Sequence, residues 1–298
     1  MPMDSARRRI GIDLGGTKLE GVVLDGDMRP IFRHRIATES ECGYEHIIER
    51  VAQVVAACRS VAPECELVGI GTPGAVSSRS GTMKNCNTTC LNGRCLREDL
   101  IARLGIRVVL ENDANCFTLA EALAGAGRDA PLVFGIIMGT GVGGGIVHRG
   151  ELLRGPQHLA GEWGHHSIDP NGPSCYCGQR GCVERLIAGP AVEEHYRTLT
   201  GETRRVPEIV VQARRGDTAA AEVMLRFIDR FGRAVANLVD ILDPDALVIG
   251  GGLSNIDELY TAGGEAVARY VFNDELRTPL RRNQLGDSAG VIGAALLV

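Results

Sequence analysis

The chain has 298 residues, of which 44% are hydrophobic and 23% are charged, and its formal net charge is -5. This composition is typical of a globular protein with one large α/β unit or two domains. The negative charge argues against binding to nucleic acid or to an anionic membrane, and no apolar run is long enough to cross a bilayer.

The beginning of the chain and the cysteines predict a cytoplasmic protein. Residues 1–9 are polar and basic and lack the apolar segment of a signal peptide. Of the ten cysteines, the seven outside residues 175–182 have no regular spacing, and the chain is too long and too rich in core residues to need a disulfide scaffold. We therefore expect reduced thiols.

The first part of the chain alternates between short apolar strands and amphipathic helices. It opens with an antiparallel meander of three strands at 10–14, 19–24 and 31–36, with a Gly-Asp turn between the last two. The elements that follow are a helix at 44–60, strands at 67–71 and 108–110, and a helix at 114–124.

A second meander, with strands at 132–138 and 144–147, opens the later part. It is followed by a helix at 218–242, a buried strand at 246–250 and an apolar helix at 288–297. A strand, a glycine-rich tip and another strand thus occur near the start of each half, which indicates a weak internal duplication. We predict an N-terminal α/β domain at 1–120, completed by the helix at 288–298, and a larger α/β domain at 121–287.

The first glycine-rich tip reads Asp13-Leu-Gly-Gly-Thr-Lys18. Its two glycines allow backbone N–H groups to approach an anion, and Thr17 adds a hydroxyl donor. Asp13 ends the strand, where a carboxylate could hold a hydrated Mg2+. The alternative is a tight hairpin turn whose polar residues have no ligand.

The second tip, Gly139-Thr-Gly-Val-Gly-Gly-Gly145, matches the pattern G-x-G-x-x-G. In a dinucleotide-binding fold this loop opens into a helix whose N-terminus faces the pyrophosphate. Here it opens into a strand-like stretch. A hairpin that wraps phosphate therefore fits better than a dinucleotide turn, and two such hairpins are more specific than one.

Asp113 follows a predicted strand and precedes a helix. An aspartate at this position often caps the helix, which is the structural alternative to a functional role. Asn112 could cap instead and leave the Asp113 carboxylate in a ligand crevice at the strand ends. There it could accept a proton from a sugar hydroxyl, a contribution of about 10²–10⁴-fold to the rate.

A histidine and three cysteines, spaced H-x9-C-x-C-x4-C, have the composition of a structural zinc site. The cysteines are Cys175, Cys177 and Cys182, and the histidine is His165, with His158 and His166 as competitors. Acidic residues flank this segment on both sides, at positions 162 and 184. If a metal folds the segment back, both carboxylates can converge on the vicinal hydroxyls of a polyol. The alternative is a pair of solvated glutamates.

Five motifs in this order resemble those of the ROK family of repressors, open reading frames and sugar kinases, and the resemblance covers essentially the whole chain. In chain order they are Asp13-Leu-Gly-Gly-Thr-Lys18, Glu111-Asn-Asp-Ala-Asn115, Gly139-Thr-Gly-Val-Gly-Gly-Gly145, Glu162-Trp-Gly-His165 and Cys175-Tyr-Cys-Gly-Gln-Arg-Gly-Cys-Val-Glu184.

The resemblance implies an actin-like ATPase (ribonuclease-H-like) fold, with two α/β domains around a central cleft and a zinc-stabilised loop. It implies a homodimer that phosphorylates a hexose with ATP and Mg2+, with Asp113 as the general base. The zinc ligands would be His165, Cys175, Cys177 and Cys182, and the zinc would shape the sugar pocket. The sugar would contact Gly74, Asn87, Asn112, Asp113, Glu162, His165 and Glu184. ATP and its Mg2+ would contact Asp13, Gly15, Gly16, Thr17, Lys18, Gly139, Thr140, Gly141, Gly143, Gly144, Gly250, Gly251 and Gly252.

Within the family, the segments at 84–93, 241–252 and 286–290 look most like bacterial fructokinase, also called mannofructokinase. We therefore expect fructose, or else mannose, to be converted to its 6-phosphate. Glucose and N-acetylhexosamine kinases share every catalytic motif and are the alternative. A sugar-sensing repressor is disfavoured, because such a protein would carry a winged helix-turn-helix ahead of the ATPase fold and only nine residues precede the first strand.

Overall fold

The computed structural model describes residues 8–298, so most of the predicted N-terminal segment at 1–9 lies outside the described residues. The chain forms two compact units. Unit 1 comprises the residues up to Arg128, together with Gly145–Ala160 and Asp287–Val298. Unit 2 comprises Asp129–Gly144 and Gly161–Gly286. The predicted division into two domains at residue 120 stays a prediction.

Unit 1 is built on a five-stranded sheet. Its strands are β1 (Arg9–Leu14), β2 (Lys18–Leu24), β3 (Pro30–Ala37), β4 (Leu67–Thr72) and β7 (Arg107–Asn112), in the order β3-β2-β1-β4-β7. The first three strands are antiparallel, as the meander predicts, whereas β1, β4 and β7 run parallel. The central strands are buried on both faces because helices cover the sheet on both sides. A two-stranded hairpin, β5 (Ala75–Val76) and β6 (Met83–Lys84), follows β4.

Among the described residues of unit 1, the α-helices are α1 (Tyr44–Arg59), α2 (Leu96–Leu104), α3 (Asp113–Ala124) and α9 (Ala289–Leu296). Glycines in the strands let two of them approach the sheet closely. A Cβ on Gly21 would lie 2.5 Å from Val54 of α1, and one on Gly69 would lie 1.8 Å from the Ala294 carbonyl of α9. The C-terminal helix is therefore part of the core of unit 1.

A second five-stranded sheet repeats the arrangement of the first. Its strands are β8 (Leu132–Met138), β9 (Val142–His148), β10 (Glu151–Leu152), β11 (Ala246–Gly250) and β12 (Leu280–Arg282), in the order β10-β9-β8-β11-β12. Numbered within each sheet, the strands of both follow the order 3-2-1-4-5. In both sheets the fourth strand pairs in parallel with the first and the fifth. The predicted duplication is thus confirmed at the level of topology.

The helices of unit 2 are α4 (Val183–Ile187), α5 (Gly189–Thr200), α6 (Val206–Arg214), α7 (Thr218–Leu242) and α8 (Ala262–Tyr270). The 25-residue α7 has the bounds that its apolar period predicts, and the Asp217 side chain caps it by accepting from the Ala220 N–H. Its apolar stripe, with Phe227 and Phe231, is buried, and a Cβ on Gly232 would lie 2.6 Å from Ala266 of α8. Among residues 8–298, no helix is both long and apolar enough to span a membrane.

Candidate active site and metal centre

The first glycine turn, residues 15–17, joins β1 to β2 and is the predicted hairpin. The Gly15 N–H donates to the Lys18 carbonyl at 3.0 Å. The Thr38 hydroxyl donates to the Gly15 carbonyl at 2.7 Å, and the Ser40 hydroxyl donates to the Gly16 carbonyl at 3.0 Å. These hydroxyls donate to carbonyl oxygens that would otherwise repel a phosphate. Gly16 and Thr17 remain exposed.

Asp13 lies near the end of β1, directly before this turn. Burial raises the pKa of its carboxyl to about 6, although the positive charge of Lys18 opposes the shift. A Cβ on Gly290, in the first turn of α9, would lie 3.4 Å from Asp13 Oδ2. A buried carboxylate with a raised pKa gains more from a bound cation than an exposed one does, which suits a ligand for Mg2+.

The carboxyl ends of the parallel strands in unit 1 meet at one edge of the sheet. Asp13 pairs in register with Gly71 of β4, which pairs with Glu111 of β7. The buried Thr72 hydroxyl lies 2.9 Å from the Gly74 carbonyl and 3.2 Å from the Glu111 carbonyl. The first turn, Gly74 and the Asn112–Asp113 pair therefore share this edge, as expected for ligand sites in open α/β sheets.

The predicted sugar-binding loop also reaches this edge. The Asn87 N–H donates to the Pro73 carbonyl at 3.4 Å, and the Asn87 side chain is exposed. Gly74 is packed so tightly that a Cβ would lie 2.6 Å from Cys86 Sγ and from the Lys84 carbonyl. A side chain at position 74 would displace this loop, which explains the need for glycine there.

Asn112, rather than Asp113, is the N-cap of α3. Its Oδ1 accepts from the Ala114 N–H at 2.9 Å and from the Asn115 N–H at 3.4 Å. Asp113 is the first helical residue, and its side chain is exposed although Oδ1 also accepts from the Ala114 N–H at 2.8 Å. The prediction that Asn112 caps the helix is confirmed, and the role of Asp113 as a base stays a prediction.

Sequence reasoning missed the side chain that supports this corner. The Glu111 carboxylate accepts from the Asn112 N–H at 3.0 Å, the Asn115 side-chain amide at 2.9 Å and the Arg154 guanidinium at 2.6 Å. It therefore joins the end of β7, the first turn of α3 and a segment 43 residues further on. The presence of an acidic residue two positions before Asp113 was the only signal in the sequence for this role of Glu111. Nothing in the sequence indicates that Arg154 is the partner of Glu111.

The second glycine turn, residues 139–141, joins β8 to β9. The Gly139 N–H donates to the Gly141 carbonyl at 2.9 Å, and Thr140 is exposed. The chain continues as a strand, in which a Cβ on Gly144 would lie 2.8 Å from the rings of Phe134 and Trp163. The loop is thus the predicted hairpin and does not have the strand-to-helix geometry of a dinucleotide-binding loop.

A cavity of about 460 Å³ in unit 2 brings together residues of two of the three predicted nucleotide segments, at 139–144 and 250–252. Gly139, Thr140 and Gly252 all line it. Gly251 separates the last residue of β11 from Gly252. Its φ of +80° favours glycine, and a Cβ at this position would lie 2.4 Å from the Met138 carbonyl. The apolar lining comes from elements that sequence reasoning did not connect with this site, and includes Pro190, Val206, Val210, Leu253 and Ile256.

The four predicted metal ligands converge in unit 2. The ligand atoms of His165, Cys175, Cys177 and Cys182 lie within 4.8 Å of one another. Cys177 Sγ is 3.5 Å from Cys182 Sγ, and Cys175 Sγ is 3.6 Å from His165 Nδ1. Tetrahedral Zn2+ with Zn–S bonds of about 2.3 Å would place two sulfurs about 3.8 Å apart, so these residues fit the ion. We call these four residues the metal cluster.

The chemistry of the metal cluster also fits a cation. All three of its cysteines are free thiols, as are the other seven. A hydrogen bond from the Gln179 backbone lowers the pKa of the Cys177 thiol to about 7, which favours the thiolate that a metal requires. The competing His166 instead contacts the Asn237 amide at 3.4 Å through Nε2. The Tyr176 hydroxyl, 2.9 Å from His165 Nε2, orients the imidazole so that Nδ1 faces the sulfurs.

The two flanking glutamates have different environments. Glu162 is exposed, directly before the short helical turn at Trp163–His165. Glu184, in the first turn of α4, accepts from the Val142 N–H at 3.0 Å through Oε2. Glu184 therefore contacts the second glycine hairpin, a contact that the sequence did not predict.

Comparison with known proteins gives a match to the family model described as ROK family over residues 9–298. An N-acetyl-D-glucosamine kinase of Haemophilus influenzae is 34% identical and aligns over 96% of this chain and 98% of that protein. A ROK hexokinase from Thermus thermophilus has a TM-score of 0.89 and 34% identity, covering 97% of each chain. A ROK glucokinase from Streptomyces griseus, solved with glucose and AMPPNP, has a TM-score of 0.81 and 29% identity, covering 98% of this chain and 99% of the other.

The duplicated sheets, the two glycine hairpins and these similarities define an actin-like, ribonuclease-H-like α/β fold, and the fold prediction is confirmed. The chain belongs to the ROK family. On substrate, the named relatives favour the alternative of an N-acetylhexosamine or glucose kinase over the expected fructokinase.

Proposed function

We propose that this protein is an ATP-dependent sugar kinase whose preferred acceptor is an N-acetylhexosamine, N-acetyl-D-glucosamine first among them. The observation that carries the kinase assignment is the sheet edge in unit 1. A glycine turn, the half-buried Asp13 and the exposed Asp113 lie there together, and they would serve as a phosphate site, a cation ligand and a base. The choice of acceptor follows the relatives that are about one-third identical over their whole length.

In the proposed reaction Asp113 accepts the proton of a sugar hydroxyl while the hydroxyl oxygen bonds to the γ-phosphorus of ATP. The bond from that phosphorus to the β–γ bridging oxygen breaks, and ADP leaves. A positioned base of this kind contributes about 10²–10⁴-fold to the rate. The remaining catalysis comes from orientation and from neutralising the phosphate charge.

The two glycine turns would bind the phosphates through backbone N–H groups. Asp13 and Lys18 complete the first turn, and Asp13 would hold Mg2+, which neutralises charge on the β- and γ-phosphates. The cavity of unit 2 would hold the adenosine, because its lining is mainly apolar and includes a few polar side chains, among them Glu193, Arg205 and Asn255. Gly250, Gly251 and Gly252 would keep the cavity open beside the ribose.

The metal cluster would hold Zn2+ in a purely structural role, since four protein ligands leave no position open for water. The sugar contacts that the family resemblance implies, namely Gly74, Asn87, Asn112, Asp113, Glu162, His165 and Glu184, are part of this proposal. A homodimer and a cytoplasmic location remain expectations from the family resemblance and from the cysteines.

A coupled assay of ADP formation tests the proposal, with N-acetyl-D-glucosamine, N-acetyl-D-mannosamine, glucose, mannose and fructose as acceptors in the presence of Mg2+. We expect the highest kcat/KM with an N-acetylhexosamine, and 31P NMR of the product should show a phosphomonoester. If kcat/KM were highest with fructose, the proposed choice of an N-acetylhexosamine as acceptor would be wrong and the fructokinase interpretation would be restored. No sugar-dependent ADP formation with any acceptor would overturn the kinase assignment.

A further inference from the structure

We propose that the metal cluster's segment holds the second glycine hairpin in its phosphate-binding shape, with Glu184 and Trp163 as positioning residues. Nucleotide affinity should then depend on the metal even when no sugar is present. This inference rests on the proposed function, in which residues 139–144 bind the phosphates of ATP.

Glu184 holds the hairpin at the end of its turn. Its Oε2 accepts from the Val142 N–H at 3.0 Å, and a carboxylate makes a stronger acceptor than a neutral group. A Cβ on Gly141 would lie 2.7 Å from the same oxygen, so only glycine at that position admits the carboxylate. The motif glycine therefore serves a contact with Glu184 in addition to any contact with phosphate.

Trp163 and Gly164 contact the carbonyl groups of the hairpin that follow the Val142 N–H. The indole Nε1 of Trp163 donates to the Gly143 carbonyl at 2.9 Å. Gly164 approaches the hairpin so closely that a Cβ would lie 2.0 Å from the Val142 carbonyl. The indole is 7% exposed, and the Phe134 ring lies edge-on to it with 6.0 Å between the centroids. Glu184 thus holds the Val142 N–H, Gly164 packs against the Val142 carbonyl, and Trp163 holds the Gly143 carbonyl.

Both sets of contacts lie next to ligands in the metal cluster. Gly164 precedes His165 directly, and Glu184 follows Cys182 by two residues. The Cys182 thiol lies 3.5 Å from the His165 carbonyl, and the Val183 N–H donates to the His166 carbonyl at 2.9 Å. A metal bound to both His165 and Cys182 would fix the separation of the two segments. Without it, the two segments would be joined by backbone hydrogen bonds and packing alone, among them the bond from the Ile168 N–H to the Gly181 carbonyl at 3.0 Å.

The same segment reaches the first residue of the turn. After Glu184, α4 ends and the chain enters α5, where the Gly189 N–H donates to the Gly139 carbonyl at 2.8 Å. The hairpin is therefore contacted at its beginning, by Gly189, and at its end, by Glu184 and Trp163. Through these contacts the metal cluster would stabilise the hairpin that binds the nucleotide phosphates, in addition to shaping the sugar pocket.

The first test compares the zinc-loaded full chain with two substitutions of one residue, using Mg2+–AMPPNP as the probe in calorimetry without sugar. Glu184→Ala removes the acceptor, and we expect about tenfold weaker binding, as for the loss of one hydrogen bond to a buried N–H. Glu184→Gln keeps an acceptor oxygen at the same position and should retain most of the affinity. Glu222→Ala, an exposed glutamate on α7, is the matched control and should not change it.

The second test removes the zinc with a chelator. Trp163 is the only tryptophan of the chain, so its fluorescence reports on the contact between cluster and hairpin. We expect a red shift of its emission and weaker Mg2+–AMPPNP binding at unchanged far-UV circular dichroism, and added Zn2+ should reverse both.

The outcomes separate this inference from the proposed function. If the zinc-loaded chain does not bind Mg2+–AMPPNP at all, the proposed function fails. If it binds and Glu184→Ala binds equally well, the inference is overturned, whatever the effect on sugar affinity. If the metal-free chain loses its far-UV signal, the chain has unfolded and the second test does not apply. The comparison of Glu184→Ala with Glu184→Gln in zinc-loaded protein then decides whether the inference holds.

Discussion

Asp113 occupies the first position of α3 with its carboxylate exposed, while Asn112 satisfies the helix N-terminus. Replacing it should therefore affect chemistry rather than folding. We expect Asp113→Asn to keep the sugar KM and the stability of the protein and to lower kcat by more than about 100-fold, because the amide cannot accept a proton. Steady-state kinetics and urea unfolding measure the two effects.

The matched control is Asp274→Asn, the same chemical change at another exposed aspartate. Its kcat should be that of the natural protein. Near-normal turnover in Asp113→Asn would show that another group removes the proton, and a large loss of stability would show that Asp113 serves the helix instead.

Asp13 should make the free energy of unfolding depend on pH. Burial raises its pKa from 3.8 to about 6, with Lys18 opposing the shift, Glu20 adding to it and Arg35 opposing it. Because the native state binds this proton more tightly than the unfolded state, Asp13 favours the native state below pH 3.8, and this contribution is lost as the pH rises to about 6.

Urea unfolding at a series of pH values, without Mg2+ or nucleotide, measures this effect against Asp13→Asn. The stability of the natural protein relative to the variant should fall between pH 4 and pH 7, as Asp13 loses its proton. Parallel curves for the two proteins would contradict the raised pKa. Affinity for Mg2+–AMPPNP should change in the opposite direction and rise with pH, since the cation needs the ionised carboxylate.

At the scale of elements, the closeness of α9 to the sheet of unit 1 depends on glycines in the strands. A Cβ on Gly69 of β4 would lie 1.8 Å from the Ala294 carbonyl, a backbone atom that can move only with its helix. We expect Gly69→Ala to destabilise the protein by about 1–3 kcal/mol or more, as overpacking does in a close-packed core. Urea unfolding gives the value.

Gly264→Ala provides the control, because this glycine lies in α8 with open space around its Cα and no positive φ. Alanine is the better helix former by about 1 kcal/mol, so this variant should be as stable as the natural protein or more stable. Equal stability of Gly69→Ala and the natural protein would show that α9 can shift without loss.

Strands and long helices were predictable from sequence because their signals are local. The bounds of α7 and β11 agree with the apolar pattern, and the meander β1–β2–β3 follows from its strands and turns. The hairpin of β5 and β6 and the short α2 were not predicted. Each has too few residues to show a period, and each depends on packing against the rest of unit 1.

For the whole molecule, the last twelve residues belong to unit 1 and close its core. The buried face of α9 packs against β1, β4 and α3, so removing it would expose apolar side chains of all three. We expect deletion of residues 287–298 to abolish cooperative unfolding of unit 1 and to produce binding of the dye ANS. Deletion of 297–298 alone, outside α9, should leave both properties unchanged. A cooperative transition in the longer deletion would show that α9 is dispensable.

The candidate site was predicted where its residues are close in the chain. Asp13, the first turn and the Asn112–Asp113 pair follow from strands that end in polar residues. The three cysteines of the metal cluster follow from their spacing, and the family resemblance selected His165 as the fourth ligand. The acceptor was harder to predict, because glucose, fructose and N-acetylhexosamine kinases of the family share the same catalytic motifs. The comparisons favour an N-acetylhexosamine.

The sequence by itself determined the two glycine hairpins, the main strands along the chain and the three cysteines of the metal cluster, because turn geometry, apolar period and ligand spacing act over short stretches of chain. Only the tertiary structure decided that Glu111 contacts Arg154, that Glu184 holds the second hairpin, and that helices α5 and α6 line a cavity beside Gly252. Those contacts join residues about forty or more positions apart, and no local pattern specifies which distant side chain will satisfy a buried carboxylate or fill a cavity wall. They depend on how the layers pack, which only the folded chain determines.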